Sequence, residues 1–312
     1  MILTICPNPA LDKIIFIEKW IAGIPMRTNK INVCVGGKGL NSSVALRHLG
    51  LETVGMGFFA GKTGKELIEI LEEYGIQPLP VWVDGETRIS HVIAERDTQI
   101  HSHVITGDVI ISEDQKTDFF EKFKIFAPKA DWVIFGGSLP ASLSDDFYVE
   151  YIDFAKKVGV PSLIDSQKES LVYGIKAQPE IVKMNREEFE WTFNQKADSH
   201  KLLISQAREL RSSLKIQNLV MTLSREGIIA LTTEGDFYAV APQQVPVNAA
   251  GAGDSASSAL VWKLLENEKW ETALRWAAAV SSASVLTERT ADFHFQDVNR
   301  IYPQVKVEKL AN

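Results

Sequence analysis

The sequence predicts an α/β fold, in which a central, mainly parallel β-sheet is flanked by helices and carries a small second sheet. Short apolar runs typical of strands alternate along the chain with segments of helical period, which is the pattern of βαβ units. Two regions, 13–20 and 88–104, instead alternate apolar with polar residues and have no helix between their strand-like runs. Such alternation is typical of strands with one exposed face. We therefore expect these regions, together with 32–35, to form the small sheet.

The predicted elements follow in chain order, each bounded by local signals. The first strand is 1–6, and the helix at 40–49 ends at Gly50, a common helix terminator. A capping box that starts at Thr63 predicts a helix from there to Gly75. The remaining predicted strands are 132–135, 162–164, 181–183, 219–223 and 227–231, and the remaining predicted helices are 147–158, 255–265 and 271–286.

Length and composition restrict the class of protein. The 312 residues, 45% of them hydrophobic, can form one large domain with a sizeable core. A net charge of −7 argues against non-specific binding to nucleic acid or to anionic membranes. Cys6 and Cys34 lie in apolar runs and are expected to be reduced and buried. Without a signal-peptide pattern or a run of about 18 apolar residues, the sequence predicts a cytoplasmic globular protein.

A glycine-rich segment precedes a predicted helix in the first part of the chain. Gly36, Gly37 and Gly39 surround Lys38, and Asn41 follows at the start of the helix. Glycines let a ligand approach the backbone closely, and a helix N-terminus offers free N–H groups. Lys38 adds a positive charge to this segment. A strand-to-helix turn that merely needs glycine explains the pattern equally well.

A second segment of small residues, Gly251-Ala252-Gly253, precedes the predicted helix at 255–265. Successive N–H groups without bulky side chains, together with the helix dipole, form an anion hole. Asp254 lies directly behind it, where a carboxylate can simply complement the dipole. In the functional interpretation, Asp254 is a general base. It accepts a proton from a hydroxyl group that attacks a phosphoryl group held in the hole.

Five short motifs stand in the order and at the spacing of one known family. They are NPALD at 8–12, GGKGLN at 36–41, GSLP at 137–140, KMNREE at 183–188 and GAGD at 251–254. Each motif is weak alone, but together they span nearly the whole chain. On these motifs the chain is identified as a member of the PfkB family of ribokinase-like sugar kinases. It is most similar to the branch that contains 1-phosphofructokinase and tagatose-6-phosphate kinase.

The resemblance implies an architecture and an activity. It implies one ribokinase-like domain over 1–312, with a β lid at 12–20, 27–35 and 86–106 that could mediate a homodimer. It also implies ATP as phosphoryl donor, Mg²⁺ as the metal ion and a phosphosugar as acceptor. The implied reaction is that of 1-phosphofructokinase, with tagatose-6-phosphate kinase or 6-phosphofructokinase as the alternative. A non-catalytic sugar-phosphate sensor on the same fold is the alternative of another class, and retention of Asp254 argues against it.

The resemblance further implies a role for each motif residue. It implies that Asp254 is the base and that the backbone N–H groups of Gly251, Ala252 and Gly253 stabilise the transferring phosphoryl group. The residues implied to bind the sugar or its phosphate are Asp12, Arg27, Gly37, Lys38, Asn41, Arg88 and Ser138. The residues implied to bind the nucleotide are Asn185, Glu188, Thr222, Ser224 and Gly227, with Glu188 reaching Mg²⁺ through water.

Simpler explanations stay open for three of these groups. Arg27 and Arg88 could be ordinary surface charges. The acidic residues around Asn185 and Glu188 could be a solvated helix start, and 222–227 could be a simple hairpin turn.

The sequence also departs from the family pattern at several positions. Ser224 replaces a glycine, Ala249 replaces a hydroxyl residue before the anion hole, and Arg289 replaces a common glycine. His101 and His103 stand on a lid strand, where alternation predicts that they share one face. That face could meet solvent, a partner chain or the substrate. None of these changes removes the base or the anion hole.

Overall fold

The computed structural model describes residues 1–95, 97–98, 101–107 and 109–311, apart from the side chains of His101 and His103. The strands are β1 (Ile2–Cys6), β2 (Ala10–Ile17), β3 (Ile31–Gly36), β4 (Thr53–Phe59), β5 (Gln77–Trp82), β6 (Asp84–Gly85), β7 (Arg88–Glu95), β8 (His101–Thr106), β9 (Val109–Ile110), β10 (Trp132–Gly136), β11 (Ser162–Asp165), β12 (Ile181–Asn185), β13 (Asn218–Thr222), β14 (Ile228–Thr232), β15 (Gly235–Val240) and β16 (Lys306–Lys309). The helices are α1 (Lys38–His48), α2 (Gly61–Glu73), α3 (Glu113–Phe126), α4 (Phe147–Lys157), α5 (Lys168–Lys176), α6 (Arg186–Phe193), α7 (His200–Ser213), α8 (Ala252–Leu265), α9 (Trp270–Ser284) and α10 (Phe295–Ile301).

The central sheet confirms the predicted α/β class. Within the described ranges its strand order is β16-β15-β14-β13-β12-β11-β10-β1-β4-β5. All pairs from β5 to β13 are parallel, whereas β14, β15 and β16 add an antiparallel edge. The change of direction follows from chain length, because the few residues between β13 and β14 allow a hairpin but not a parallel crossover.

Helices cover both faces of this sheet and bury two apolar clusters. One cluster joins the sheet to α3, α4, α6 and α7 and contains the fully buried aromatic rings of Phe119, Phe123 and Tyr151. The other joins the opposite face to α8, α9 and α10, with Leu260 and Leu274 at its centre. Burial on both faces explains why the central strands consist of nearly continuous apolar runs.

A smaller sheet of the order β3-β2-β7-β8 projects from the large one, as the two alternating regions predict. One face of it is buried and includes Ile14, Phe16 and Val92. On the other face, Ile31 on β3 pairs with Ile15 on β2, which in turn pairs with Ile93 on β7. This row of isoleucines is only partly buried. The predicted orientation of the two histidines of β8 cannot be compared, because their side chains lie outside the described residues.

Four strands of the central sheet, β4, β5, β15 and β16, are not predicted from the sequence, and the composition of β4 and β5 explains the first two omissions. β4 contains Gly55 and Gly57, which weaken a strand signal. A Cβ at Gly57 would come within 2.6 Å of the Cys6 carbonyl oxygen, so close strand packing requires glycine there. β5 contains Pro78 and Pro80, and it is tolerated because it lies at the sheet edge.

The predicted capping role of Thr63 is wrong. Helix α2 begins at Gly61, so Thr63 is already inside its first turn. Its backbone N–H donates to the carboxylate of Glu86, a residue from the connection before β7. A distant acid therefore caps this helix, and the local sequence could not reveal it. Among the helices that the described residues form, none is both long and apolar enough to cross a membrane.

Candidate active site

The candidate site lies where several parallel strands end and three helices begin. β10, β11 and β12 end side by side, with Gly136 opposite Asp165 and Asp165 opposite Lys183. Helices α1, α6 and α8 start around these strand ends, so their N-terminal N–H groups face the same region. In open α/β sheets, ligands bind at the carboxyl ends of the strands.

The start of α8 has the backbone that the anion-hole prediction requires. Gly251 adopts φ 78° and forms the N-cap, with Ala252 as the first helical residue. A Cβ at Gly251 would lie 2.6 Å from the backbone nitrogen of Ala291, so both the conformation and the contact require glycine. The N–H groups of the first turn are therefore available to an anion.

Asp254 lies buried in that first turn and is held by α1. Its Oδ2 accepts a hydrogen bond of 2.9 Å from Nδ2 of Asn41. Burial, followed by the negative charge of Asp165, raises the pKa of Asp254 to about 6. The positive charges of Lys183 and Lys38 act in the opposite direction. A carboxylate that titrates just below neutral pH is suited to general-base chemistry.

The first turn of α1 combines structural glycines with an unused polar atom. Gly37, at φ 94°, is the N-cap, and a Cβ on Gly39 would lie 2.5 Å from the Ile5 carbonyl oxygen. The strand-to-helix turn therefore needs both glycines, as the simpler interpretation states. Asn41 adds a second property, because its buried Oδ1 has no hydrogen-bond partner among the described residues. That oxygen can accept a hydrogen bond from a ligand hydroxyl.

A cluster of paired charges lies beside Asp254. Lys38 Nζ donates to Asp165 Oδ1 at 2.6 Å and also to Glu188 Oε1. Lys183 Nζ donates to Asp165 Oδ2 at 2.7 Å. Although burial opposes it, the charges of Lys183 and Lys38 lower the pKa of Asp165. Sequence reasoning assigned no role to Asp165 and Lys183, although charged residues that end apolar strands were a usable signal.

Asn185 and Glu188 form a capping box at the start of α6. Asn185 Oδ1 accepts from the Glu188 N–H, and Glu188 Oε2 accepts from the Asn185 N–H, each at 2.8 Å. Glu188 is 4% exposed, so the interpretation as a solvated acidic helix start is wrong for this residue. Its second carboxylate oxygen faces Lys38, which brings two separate sequence motifs into contact.

A second part of the site contains Arg88 and Ser138, which both contact Asn8, and Asp12, on which the charge of Arg88 acts. The Arg88 guanidinium donates to the Asn8 carbonyl oxygen at 2.8 and 3.2 Å, and Asn8 Nδ2 donates to Ser138 Oγ at 3.5 Å. Thr290 Oγ1 donates to Asp12 Oδ2 at 3.2 Å. Burial raises the pKa of Asp12 to about 7, against that hydrogen bond and the charge of Arg88. Arg88 is thus partly buried and hydrogen-bonded to the backbone of Asn8, so its interpretation as an ordinary surface charge is wrong.

Arg27 is not brought to this group within one chain. It lies exposed in the connection between β2 and β3. β3 runs from Ile31 at that end to Gly36 at the site, a distance of about 17 Å for five residues of strand. The predicted contact of Arg27 with substrate stays a prediction.

Thr222, Ser224 and Gly227 lie on the turn between β13 and β14, as the simpler hairpin interpretation states. Ser224 and Gly227 both have positive φ values, 51° and 113°. Glycine adopts such values most easily, which explains why the family pattern has a glycine at the position of Ser224. Thr222 pairs with Asn185 across the two strands, so this turn borders the start of α6.

Ion pairs fasten that turn to two helices. Arg186, the first residue of α6, donates to both carboxylate oxygens of Glu226 at 2.7 and 3.3 Å. His200 of α7 contacts the same carboxylate. The Arg186 interaction, followed by that of His200, lowers the pKa of Glu226. The turn is therefore fixed relative to the charged cluster.

The carboxylates of the site can bind a metal ion only if a bound ligand supplies further coordinating atoms. Among the described residues, no cluster of three or more His, Cys, Asp or Glu side chains is placed to hold one. Asp165 and Glu188, however, already accept one cationic ammonium between them. Mg²⁺ is commonly bound by one or two carboxylates plus substrate phosphates and water, and this pair fits that requirement.

Comparisons with known proteins agree with the motifs and the fold. The model of the pfkB family carbohydrate kinases matches residues 9–295. The 1-phosphofructokinase of Escherichia coli K12 is 30% identical over 285 residues, which cover 91% of this chain and 90% of that protein. A tagatose-6-phosphate kinase of Staphylococcus epidermidis is 26% identical, covering 98% and 99%. The tetrameric inhibited form of phosphofructokinase-2 from Escherichia coli superposes with a TM-score of 0.86 at 25% identity, covering 97% and 98%.

The family match extends over nearly the whole chain, and its range of residues 9–295 contains four of the five motifs and all but Asn8 of the first. The glycine-bounded helix starts and the buried Asp254 lie within the matched residues. The chain belongs to the PfkB family of carbohydrate kinases.

Proposed function

We propose that this protein is an ATP-dependent kinase of a ketohexose phosphate, and that it converts fructose 1-phosphate to fructose 1,6-bisphosphate. The observation that carries the proposal is Asp254, whose pKa is raised to about 6 at the N-terminus of a helix that begins with Gly251. A sensor of sugar phosphates would need no such base. Tagatose 6-phosphate and fructose 6-phosphate are the alternative acceptors, and a tagatose-6-phosphate kinase is among the relatives.

In the proposed reaction, Asp254 accepts the proton of the free primary hydroxyl of the sugar. The hydroxyl oxygen then bonds to the γ-phosphorus of ATP, and the bond between that phosphorus and the bridging oxygen of ADP breaks. The N–H groups of Gly251, Ala252 and Gly253 stabilise the charge that develops on the transferring group. Asn41 orients the base through its hydrogen bond to Asp254.

The sugar would bind between α1 and the smaller sheet. Asn41 Oδ1 would accept from one hydroxyl, and Asp12 and the Gly37 N–H would contact others. Its phosphate would be held by Arg88 and by three further groups implied by the resemblance. These are Lys38, Ser138 and Arg27, and Arg27 would have to be supplied by another copy of the chain, since it is not brought to Arg88 within one chain. A guanidinium is suited to this role because its planar fork donates two hydrogen bonds to phosphate.

The nucleotide would bind along the start of α6 and the turn that follows β13. Asn185 and the turn residues Thr222, Ser224 and Gly227 are proposed to contact its phosphates. Asp165 and Glu188 would hold Mg²⁺, in part through water. When bound, Mg²⁺ would neutralise charge on the nucleotide phosphates. ATP use and two free buried thiols fit an enzyme of the cytoplasm.

The smaller sheet is proposed to serve as a lid and as the contact surface of a homodimer. Its row of Ile31, Ile15 and Ile93 spans three strands and is only partly covered, with Ile31 50% exposed. Burial of such a row against a second copy is favourable, because each aliphatic side chain is removed from water. The same sheet carries Asp12 on its other face, so dimer formation would also stabilise part of the site.

Replacement of Asp254 by Asn should lower kcat by about 10²–10⁴-fold, because an amide cannot accept the hydroxyl proton. The assay is ADP formation with Mg-ATP and each of fructose 1-phosphate, tagatose 6-phosphate and fructose 6-phosphate. Asp236→Asn is the matched control, since Asp236 on β15 is also largely buried but pairs with Arg208 of α7, away from the site. ADP formation by the Asp254→Asn variant at the parental rate would refute the base. Parent protein that forms no ADP with any acceptor would indicate a sensor.

The pH profile should report the raised pKa of Asp254. Since the base must be ionised, kcat/KM should fall as the pH drops through about 6 and be constant above it. The phosphate group of a sugar phosphate also titrates in this pH range. The Asp165→Asn variant therefore serves as the control that distinguishes titration of Asp254 from titration of the substrate. Loss of the Asp165 charge should move the acidic limb to lower pH, because that charge raises the pKa of Asp254. An unshifted limb would assign the titration to the substrate.

Replacement of Arg88 by Ala should raise the KM for the phosphosugar by about 10- to 100-fold and leave the KM for ATP nearly unchanged. A hydrogen bond to a charged group contributes about 1.5–3 kcal/mol, which corresponds to this range. Arg300→Ala is the control, since Arg300 is exposed and pairs with Asp297 of its own helix. Equal increases in both KM values would exclude a phosphate-binding role for Arg88.

Replacement of Ile93 by Asp should convert the proposed dimer to monomer. A carboxylate in the middle of an apolar contact would be buried without a partner. Light scattering coupled to size-exclusion chromatography measures the mass, and circular dichroism confirms folding. Ile125→Asp is the control, because Ile125 is exposed on α3. A parental mass for the Ile93→Asp variant, or a monomeric parent, would rule out this surface.

A further inference from the structure

Every carboxylate oxygen of Asp165 and Glu188 already has a hydrogen-bond donor. Asp165 Oδ1 and Oδ2 accept from Lys38 and Lys183 at 2.6 and 2.7 Å. Glu188 Oε2 accepts from the Asn185 N–H at 2.8 Å, and its Oε1 accepts from Lys38. A metal ion can therefore reach these oxygens only where a present donor leaves.

The donors differ in their freedom to leave. The Asn185 N–H belongs to the capping box of α6, and its loss would unpair the helix start. The Lys183 side chain is 3% exposed and begins on a central strand. The Lys38 side chain is 27% exposed and carries its ammonium on a flexible four-carbon stem. Lys38 is thus the donor whose ammonium group can move away from the two carboxylates and toward the exposed part of the site.

The position of the Lys38 ammonium is also the one that a cation would take. It contacts one oxygen of each carboxylate, one at the end of strand β11 and the other in the first turn of helix α6. Two carboxylates that are buried near each other can both stay ionised only when a cation compensates their charge. The ammonium and a divalent cation would compensate the same two charges, so they compete for one place.

We propose that Lys38 blocks the metal position between Asp165 and Glu188 until a phosphate group of a substrate draws its ammonium away. This inference rests on the proposed function, which supplies both the metal ion and the phosphate. A phosphate group that pairs with Lys38 exposes one oxygen of Asp165 and one of Glu188. Binding of the phosphate group and of the metal ion is then positively coupled, and the coupling is reciprocal. Such coupling would restrict a complete metal site to the protein that already holds its substrate.

The test is Mn²⁺ binding without turnover, measured from the electron paramagnetic resonance signal of free Mn²⁺. Lys38→Met should bind Mn²⁺ about 5- to 150-fold more tightly than the parent protein, which is the usual range of coupling between sites. Lys30→Met is the control, because Lys30 pairs with Glu288 at the edge of the smaller sheet. It should bind Mn²⁺ like the parent protein. Equal or weaker binding by a folded Lys38→Met variant would overturn the proposal.

A second measurement needs no variant and so does not depend on the folding of Lys38→Met. Fructose 1-phosphate should tighten Mn²⁺ binding to the parent protein. A parallel titration uses a non-hydrolysable ATP analogue, corrected for the Mn²⁺ that the analogue binds without protein. Tightening in one titration supports the proposal and identifies which phosphate group draws Lys38 away. Unchanged Mn²⁺ affinity in both titrations overturns it.

The two proposals fail differently. If the protein forms ADP with a phosphosugar but Mn²⁺ binding is indifferent to Lys38, the kinase assignment stands and the blocking role is wrong. If no acceptor supports ADP formation while Lys38→Met binds Mn²⁺ more tightly, the blocking role stands and the kinase assignment is wrong.

Discussion

The site depends on the cluster of paired charges beside Asp254, which is formed by Lys38, Asp165, Lys183 and Glu188. Buried ions are tolerated only when each is paired, because removal from water costs several kcal/mol per ion. Asp165 is paired by two lysines, and one of these also pairs Glu188. The negative charge of Asp165, second only to burial, raises the pKa of Asp254. A change at any member would therefore alter the pairing of the others and the basicity of the proposed base.

The fold supplies this cluster with three helix N-termini and no bulky side chains between them. Gly37 and Gly251 adopt positive φ values at the starts of α1 and α8, where the backbone turns from an extended segment into a helix. Close contacts exclude a Cβ at either position. The helices consequently approach each other closely enough for Asn41 of α1 to hold Asp254 of α8. Tight packing and the orientation of the base thus have one structural origin.

Prediction succeeded where a property belongs to a short stretch of chain and failed where it depends on a distant partner. The glycine-rich helix starts and the position of Asp254 were readable because helix capping and backbone freedom are local. Thr63 was misassigned because Glu86, from a later segment, caps α2. Lys183 was overlooked because the importance of a lysine at a strand end depends on which carboxylate the neighbouring strand carries.

The α/β class, the order of the motifs and the membership of a sugar-kinase family can all be recognised in the linear amino-acid sequence. Periodicity, glycine positions and motif spacing are all written along the chain and need no three-dimensional information. Which charged side chains contact each other depends on the three-dimensional fold. Lys38 lies 127 residues from Asp165 and 150 from Glu188, and Asn41 lies 213 from Asp254. The parallel sheet brings these residues to one edge, and only there do burial and nearby charges shift their pKa values.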